Sequence, residues 1–142
     1  MQLLPDTEFS LGETKQIEVH NQSDRDGFIF IWDINSKGET SYIYPNPYTE
    51  KVIKLKAGQK FNIPRNTGAR FTLTIVEPVG KSALVALLVE ESLSQKVLPE
   101  QLKTLGSATN AQTALHQLQE HLRAKLGPNG WSIATVDYQV SN

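Results

Sequence analysis

Gly27-Phe28-Ile29-Phe30-Ile31-Trp32-Asp33-Ile34 decides the fold. Side chains alternate along a strand, so Phe28, Phe30, Trp32 and Ile34 point one way and Ile29 and Ile31 the other. Apolar residues on both faces require cover on both sides. The segment is therefore expected at the centre of a β core. Ala83-Leu84-Val85-Ala86-Leu87-Leu88-Val89 has the same character. These two stretches are expected to be central, largely buried strands of one core.

The flanking sequence supports that reading. Ile17 and Val19 alternate with Gln16, Glu18 and His20, as in a half-buried strand. Residues 21–27 form a polar turn cluster, and Asn35-Ser36-Lys37-Gly38 makes a second turn. Residues 39–44 alternate again, with Tyr42 and Tyr44 on one face, and lead into the rigid loop Pro45-Asn46-Pro47-Tyr48. Residues 52–55 and 60–63 flank Lys56-Ala57-Gly58-Gln59 in a hairpin pattern. Residues 70–76 place Phe71, Leu73 and Ile75 against Thr72 and Thr74, before a turn at Pro78-Val79-Gly80.

The period then changes. Residues 98–106 suggest a short helix with Pro99 in its first turn and Gly106 after its end. Ala111, Ala114, Leu115, Leu118, Leu122 and Leu126 form an apolar stripe at helical spacing. Thr109 or Asn110 suits its N-cap, and Gly127-Pro128 its end. Residues 131–140 return to strand alternation. The expected fold is mainly β: an antiparallel β-sandwich, Ig-like or barrel-like, with a helical insert at about 97–126 before the last strand. Residues 1–142 are expected to form a single domain.

The chain carries 14 basic and 15 acidic residues, a formal charge of −1. That balance argues against broad electrostatic binding to nucleic acid or anionic lipid. There is no cysteine, so disulfides, thiolate metal sites and cysteine nucleophiles are excluded. The longest apolar run, residues 83–89, is too short to span a bilayer, so no membrane insertion is expected. No secretory apolar region follows Met1. A periplasmic or secreted location would require a signal already removed; otherwise the cytoplasm is expected.

Local chemistry is sparse. His116 and His121 are about 140° apart around a helix, unlike a two-histidine metal pair. Asp24-Arg25-Asp26-Gly27 starts like a calcium loop but runs directly into the apolar strand, so a turn is the better reading. No phosphate loop or nucleophile elbow is present. No metal or cofactor is expected. The candidate binding surface is Tyr42, Tyr44, Asn46 and Tyr48, because tyrosines on a rigid loop offer apolar area and a hydroxyl at small entropic cost. The alternative is that Tyr42 and Tyr44 cover the core and Asn46 ties down a turn.

Leu11-Gly12-Glu13, Gly27-Phe28-Ile29, Tyr44-Pro45-Asn46, Ala57-Gly58, Ile63-Pro64 and Pro78-Val79-Gly80 occur in an order that resembles a bacterial domain-of-unknown-function family. The likeness runs from Phe9 to Ser92, and the ending at 131–140 fits that family's closing strand. Such domains occur appended to Ser/Thr kinase-like or caspase-like modules and in envelope- or secretion-associated proteins. The resemblance implies a non-catalytic accessory module that binds another protein or a cell-wall polymer. A small-ligand or carbohydrate-binding domain is the alternative, and a hydrolase whose carboxylates meet only in the fold is less favoured. An exposed edge strand is a second way to take a partner.

Overall fold

The fold is built around β5 (Gly27–Ile34) and β10 (Gly80–Val89), which pair antiparallel from Phe28↔Val89 to Ile34↔Ala83. This computed structural model describes residues 2–3, 8–44, 54–63, 66, 73–94 and 109–142. The remaining strands are β1 (Gln2–Leu3), β2 (Glu8–Ser10), β3 (Thr14–Lys15), β4 (Ile17–His20), β6 (Thr40–Tyr44), β7 (Lys54–Leu55), β8 (Lys60–Ile63), β9 (Leu73–Thr74) and β11 (Trp131–Ser141). Helix α1 covers Glu91–Ser94 and α2 covers Ala111–Leu126.

The main sheet has strand order β2-β11-β10-β5-β6, and β7 adds to β5 at Gly27–Phe28. This open order replaces the barrel-like option: among the described residues the sheets do not close into a barrel. A three-stranded sheet, β1-β4-β8, and a β3-β9 pair complete the architecture. The chain is mainly β, with α2 immediately before the last strand.

The alternation read from the sequence is realised on both sides of the main sheet. Phe30, Trp32, Ile34, Ala83, Val85, Leu87 and Val89 face α2. All six stripe residues of α2, Ala111 through Leu126, are buried against them. Asn110 is the N-cap, its side chain accepting from the Thr113 amide at 2.9 Å. Gly127 ends the helix at φ +79°, a conformation side chains disfavour, and its amide caps the Arg123 carbonyl. On the opposite face, Ile29, Ile31, Leu84, Ala86 and Leu88 pack with Ile17, Val19, Phe61 and Ile63 of the small sheet.

Three details differ from the sequence reading. The register of β5 and β6 shifts between Ile31 and Trp32, which pair with Tyr44 and Tyr42. Ile43 is the extra residue, so strict alternation fails there, and Ile43 and Tyr44 both join the core on the small-sheet side. Among the described residues, 54–55 and 60–63 on either side of the turn at 56–59 do not pair with each other. β7 joins β5 while β8 joins β4. The cause is Asn21, whose buried backbone exchanges hydrogen bonds with Gly58 and Gln59 and holds the turn between two sheets. Finally, α1 is a turn of helix the alternation does not announce. The short helix expected at 98–106 lies outside the described residues.

Candidate functional site

The small-sheet face of the main sheet becomes polar at one end. Asp33 continues the row of Ile29 and Ile31 on β5. Ser82 on β10 pairs with Tyr138 on β11, and Leu84 pairs with Asp33. Lys15, carried by β3, brings its ammonium over this end. Its side chain is 7% exposed and that of Asp33 22%.

These residues form one connected group. The Tyr138 hydroxyl donates to Asp33 Oδ1. Lys15 Nζ stands 4.0 Å from the same oxygen and 4.5 Å from the centre of the Tyr138 ring. The Phe9 ring, also 5.9 Å from that ammonium, meets Tyr138 edge-on at 5.8 Å. The aromatic faces give the cation an electrostatic seat.

Burial dominates the electrostatics. Desolvation pulls the Lys15 ammonium below its ordinary pKa, against the attraction of Asp33. Desolvation likewise pushes the Asp33 carboxyl up, with Lys15 and the Tyr138 hydroxyl opposing the rise. The Tyr138 phenol is pushed up, first by burial and then by the Asp33 charge. The phenol therefore stays a donor, while the carboxyl and ammonium share a site that disfavours both charges.

A cleft of about 190 Å³ opens on this group. Lys15, Asp33, Ser41, Ser82 and Tyr138 contribute polar wall, and Thr74 to Pro78 form its rim. Ile75 holds that rim to the body: its amide donates to the Glu13 carbonyl at 2.7 Å, and its carbonyl accepts from Gly12 at 2.9 Å. Ser36 Oγ donates to the Val79 carbonyl at 2.7 Å.

A second cleft, of about 200 Å³, lies at the other end of β5, β10 and β11. It is lined by Arg25, Glu90, Gly130 and Trp131, among others. Arg25 and Glu90 are 4.0 Å apart, with side chains 77% and 41% exposed. Such a solvated pair has little energetic weight. Gly130 has φ +91°, and a Cβ there would meet the Glu90 carboxylate at 2.7 Å. Among the described residues lining this end, none is a buried charge.

The sequence candidates are placed differently from the cleft group. Tyr44 is fully buried, with its ring 5.9 Å from that of Phe61, so it is a core residue and presents no surface to a partner. The bulge at Ile43 turns it inward. Tyr42 lies in β6 opposite Trp32. Asn46 and Tyr48 lie outside the described residues. Asp26 serves as turn chemistry, its Oδ1 accepting from the Ala57 amide at 2.9 Å. Asn21 organises the same turn: Nδ2 donates to the Arg25 and Leu55 carbonyls, and Oδ1 accepts from Ser23. Sequence reasoning missed Lys15, Asp33 and Tyr138. One signal was available, since Asp33 is a lone carboxylate in a strand that must be covered on both faces.

A family model matches residues 8–92, and the family is described as Domain of unknown function (DUF4384). The chain belongs to that family. The match ends within α1, just after β10, so α2 and β11 lie beyond it. Yet β11 sits between β2 and β10 in the main sheet and supplies Tyr138. The matched segment thus provides Lys15 and Asp33, and the C-terminal strand completes the group. No curated protein matches the chain. Among the described residues, no helix is long and apolar enough to cross a membrane.

Proposed function

We propose that this chain is a non-catalytic binding module that engages a protein partner at the cleft end of its main sheet. One observation carries the reading. Val76 and Val79 are the exposed large hydrophobic residues among those described, at 69% and 42%. Both stand on the loop between β9 and β10 that rims the charged cleft. That loop is tied by backbone bonds at Ile75 and by Ser36 at Val79. Apolar side chains displayed on a fixed loop lose little freedom on binding, which favours recognition. A formal charge of −1 offers little long-range steering, so contact shape must carry specificity.

The packing of the small sheet over the main sheet supports a β-sandwich carrying α2 on its outer face. An envelope- or secretion-linked setting, which the family resemblance implies, belongs to the same proposal.

Peptide display on the purified chain tests the interface. Selected peptides should bind at least about tenfold more weakly to the Val76→Asp/Val79→Asp double variant, the effect expected for losing central apolar anchors. Peptides that bind both proteins equally would place the interface elsewhere.

A further inference from the structure

We infer that the Lys15–Asp33 cleft is a receptor for a carboxamide group, supplied by an asparagine or glutamine side chain of the protein partner. The inference rests on the proposed interface and specifies its chemistry.

The cleft holds an unmatched donor beside an unmatched acceptor. Lys15 Nζ has three N–H groups. Among the described residues it has its ion pair with Asp33 Oδ1 at 4.0 Å and its two aromatic contacts, and no oxygen within hydrogen-bond distance. Its side chain is more than nine-tenths buried and lines the cleft. Asp33 Oδ1 is taken by the Tyr138 hydroxyl and faces Lys15. Asp33 Oδ2 has no hydrogen bond among the described residues. Lys15 is the more deeply buried of the two, and a desolvated donor gains from an added acceptor, while Asp33 Oδ2 stays within reach of the cleft.

Charge selects the class of guest. The Lys15–Asp33 pair is neutral as a unit. A guest carboxylate would sit beside Asp33, with the Glu77 carboxylate also on the rim, and like charges at a desolvated site repel. A guest ammonium would crowd Lys15. A carboxamide is neutral and offers both missing functions: its carbonyl accepts from Lys15 Nζ and its amide N–H donates to Asp33 Oδ2.

Size selects the source. Sites for small molecules usually enclose roughly 300–1,000 Å³. The cleft, at about 190 Å³, suits one inserted side chain. The exposed Val76 on its rim, with exposed Val79 further along the same loop, suits the chain that carries it.

NMR titration of the labelled chain tests this with three probes of one shape: butyramide, butyrate and n-propylammonium. Butyramide should shift Lys15, Asp33, Ser82 and Tyr138 signals saturably, and the two ions should not. Lys15→Met and Ser41→Trp should each weaken butyramide by about tenfold or more, the first by removing a charged donor and the second by filling the mouth from an exposed strand position. The Ser41 variant leaves the buried pair intact, so it decides the matter if Lys15→Met fails to fold. Tighter binding of either ion, no saturable shift, or butyramide binding unchanged in the folded variants would overturn the inference.

Peptide display separates this from the interface itself. A recurring Asn or Gln among peptides that depend on Val76 and Val79 supports both. Dependence on the loop without that residue overturns the carboxamide inference and keeps the interface. Butyramide binding without loop-dependent peptides keeps the cleft chemistry, assigns it to a free small amide, and overturns the protein source.

Discussion

The two faces of the main sheet are built from the same three strands and end differently. On the α2 side, every inward residue of β5 and β10 from Phe30 to Val89 is apolar, and the helix closes over them. On the small-sheet side, the apolar row of Ile29 and Ile31 runs into Asp33, and that of Leu88, Ala86 and Leu84 runs into Ser82. The first face is sealed and serves stability. The second spends part of its burial on a charged group that an apolar core would not need, since replacing a buried ion pair by hydrophobic residues is often neutral or stabilising. That contrast is the reason the proposed binding chemistry is assigned to the second face.

The largest effect should come from breaking the sealed face. Trp32 is 1% exposed and stacks on Phe30 with ring centres 6.3 Å apart. Trp32→Ala should lower stability by about 3–5 kcal/mol in denaturant titration. A loss below about 1 kcal/mol would show that this face tolerates a void, and the contrast would fail.

Breaking the charged face should cost less. Asp33→Ala leaves the Lys15 ammonium without its countercharge and the Tyr138 hydroxyl without its carboxylate acceptor. Removing one partner of a fully buried pair typically costs 3–5 kcal/mol. The 22% exposure of the Asp33 side chain lets water compensate, so about 2–3 kcal/mol is expected in the same assay. A gain in stability would mean that the pair contributes nothing to holding β3 over the sheet.

The faces should also differ in pH response. Burial raises the Asp33 pKa above its unfolded value, so its contribution to stability is full below the ordinary value of 3.8 and is lost as pH rises through the folded value. Asp33→Asn lacks this dependence. The variant should therefore gain on the wild-type chain as pH climbs above 3.8, in unfolding experiments at stepped pH. A gap that closes with rising pH would give the shift the opposite sign.

The smallest effect sharpens the comparison at the rim. Val79→Asp changes an exposed residue whose carbonyl, not its side chain, holds the loop to Ser36. Its melting stability should stay within about 0.5 kcal/mol of wild type. A larger loss would make the loop a structural element instead of a displayed one.

The sealed face was readable from residues alone, because period-two and helical patterns follow directly from backbone geometry. The α2 stripe, a cap at Thr109 or Asn110, and the central burial of 28–34 and 83–89 all follow from such patterns; that these two strands pair with each other does not. The charged face was less readable. Lys15 lies between Thr14 and Gln16 and looks like an ordinary solvated lysine; only the β3-β9 pairing brings it over Tyr138. Tyr138 alternates correctly, but its meeting with Asp33, 105 residues away, is a property of sheet order. Tyr44 takes the alternative the sequence left open and joins the core; the bulge beside it, which changes which face a side chain takes, leaves little trace in composition. Asp33 was the overlooked clue.

The central claim is that Lys15 and Asp33 form a desolvated pair facing a cleft. Site-resolved NMR titration of the Asp33 carboxyl carbon and the Lys15 side chain tests it most directly. The account predicts an Asp33 midpoint above 3.8 and a Lys15 midpoint below 10.5, both reverting to ordinary values in a chain unfolded by denaturant. Ordinary midpoints for both groups in the folded chain would show a solvated surface pair, and the contrast between the two faces would collapse.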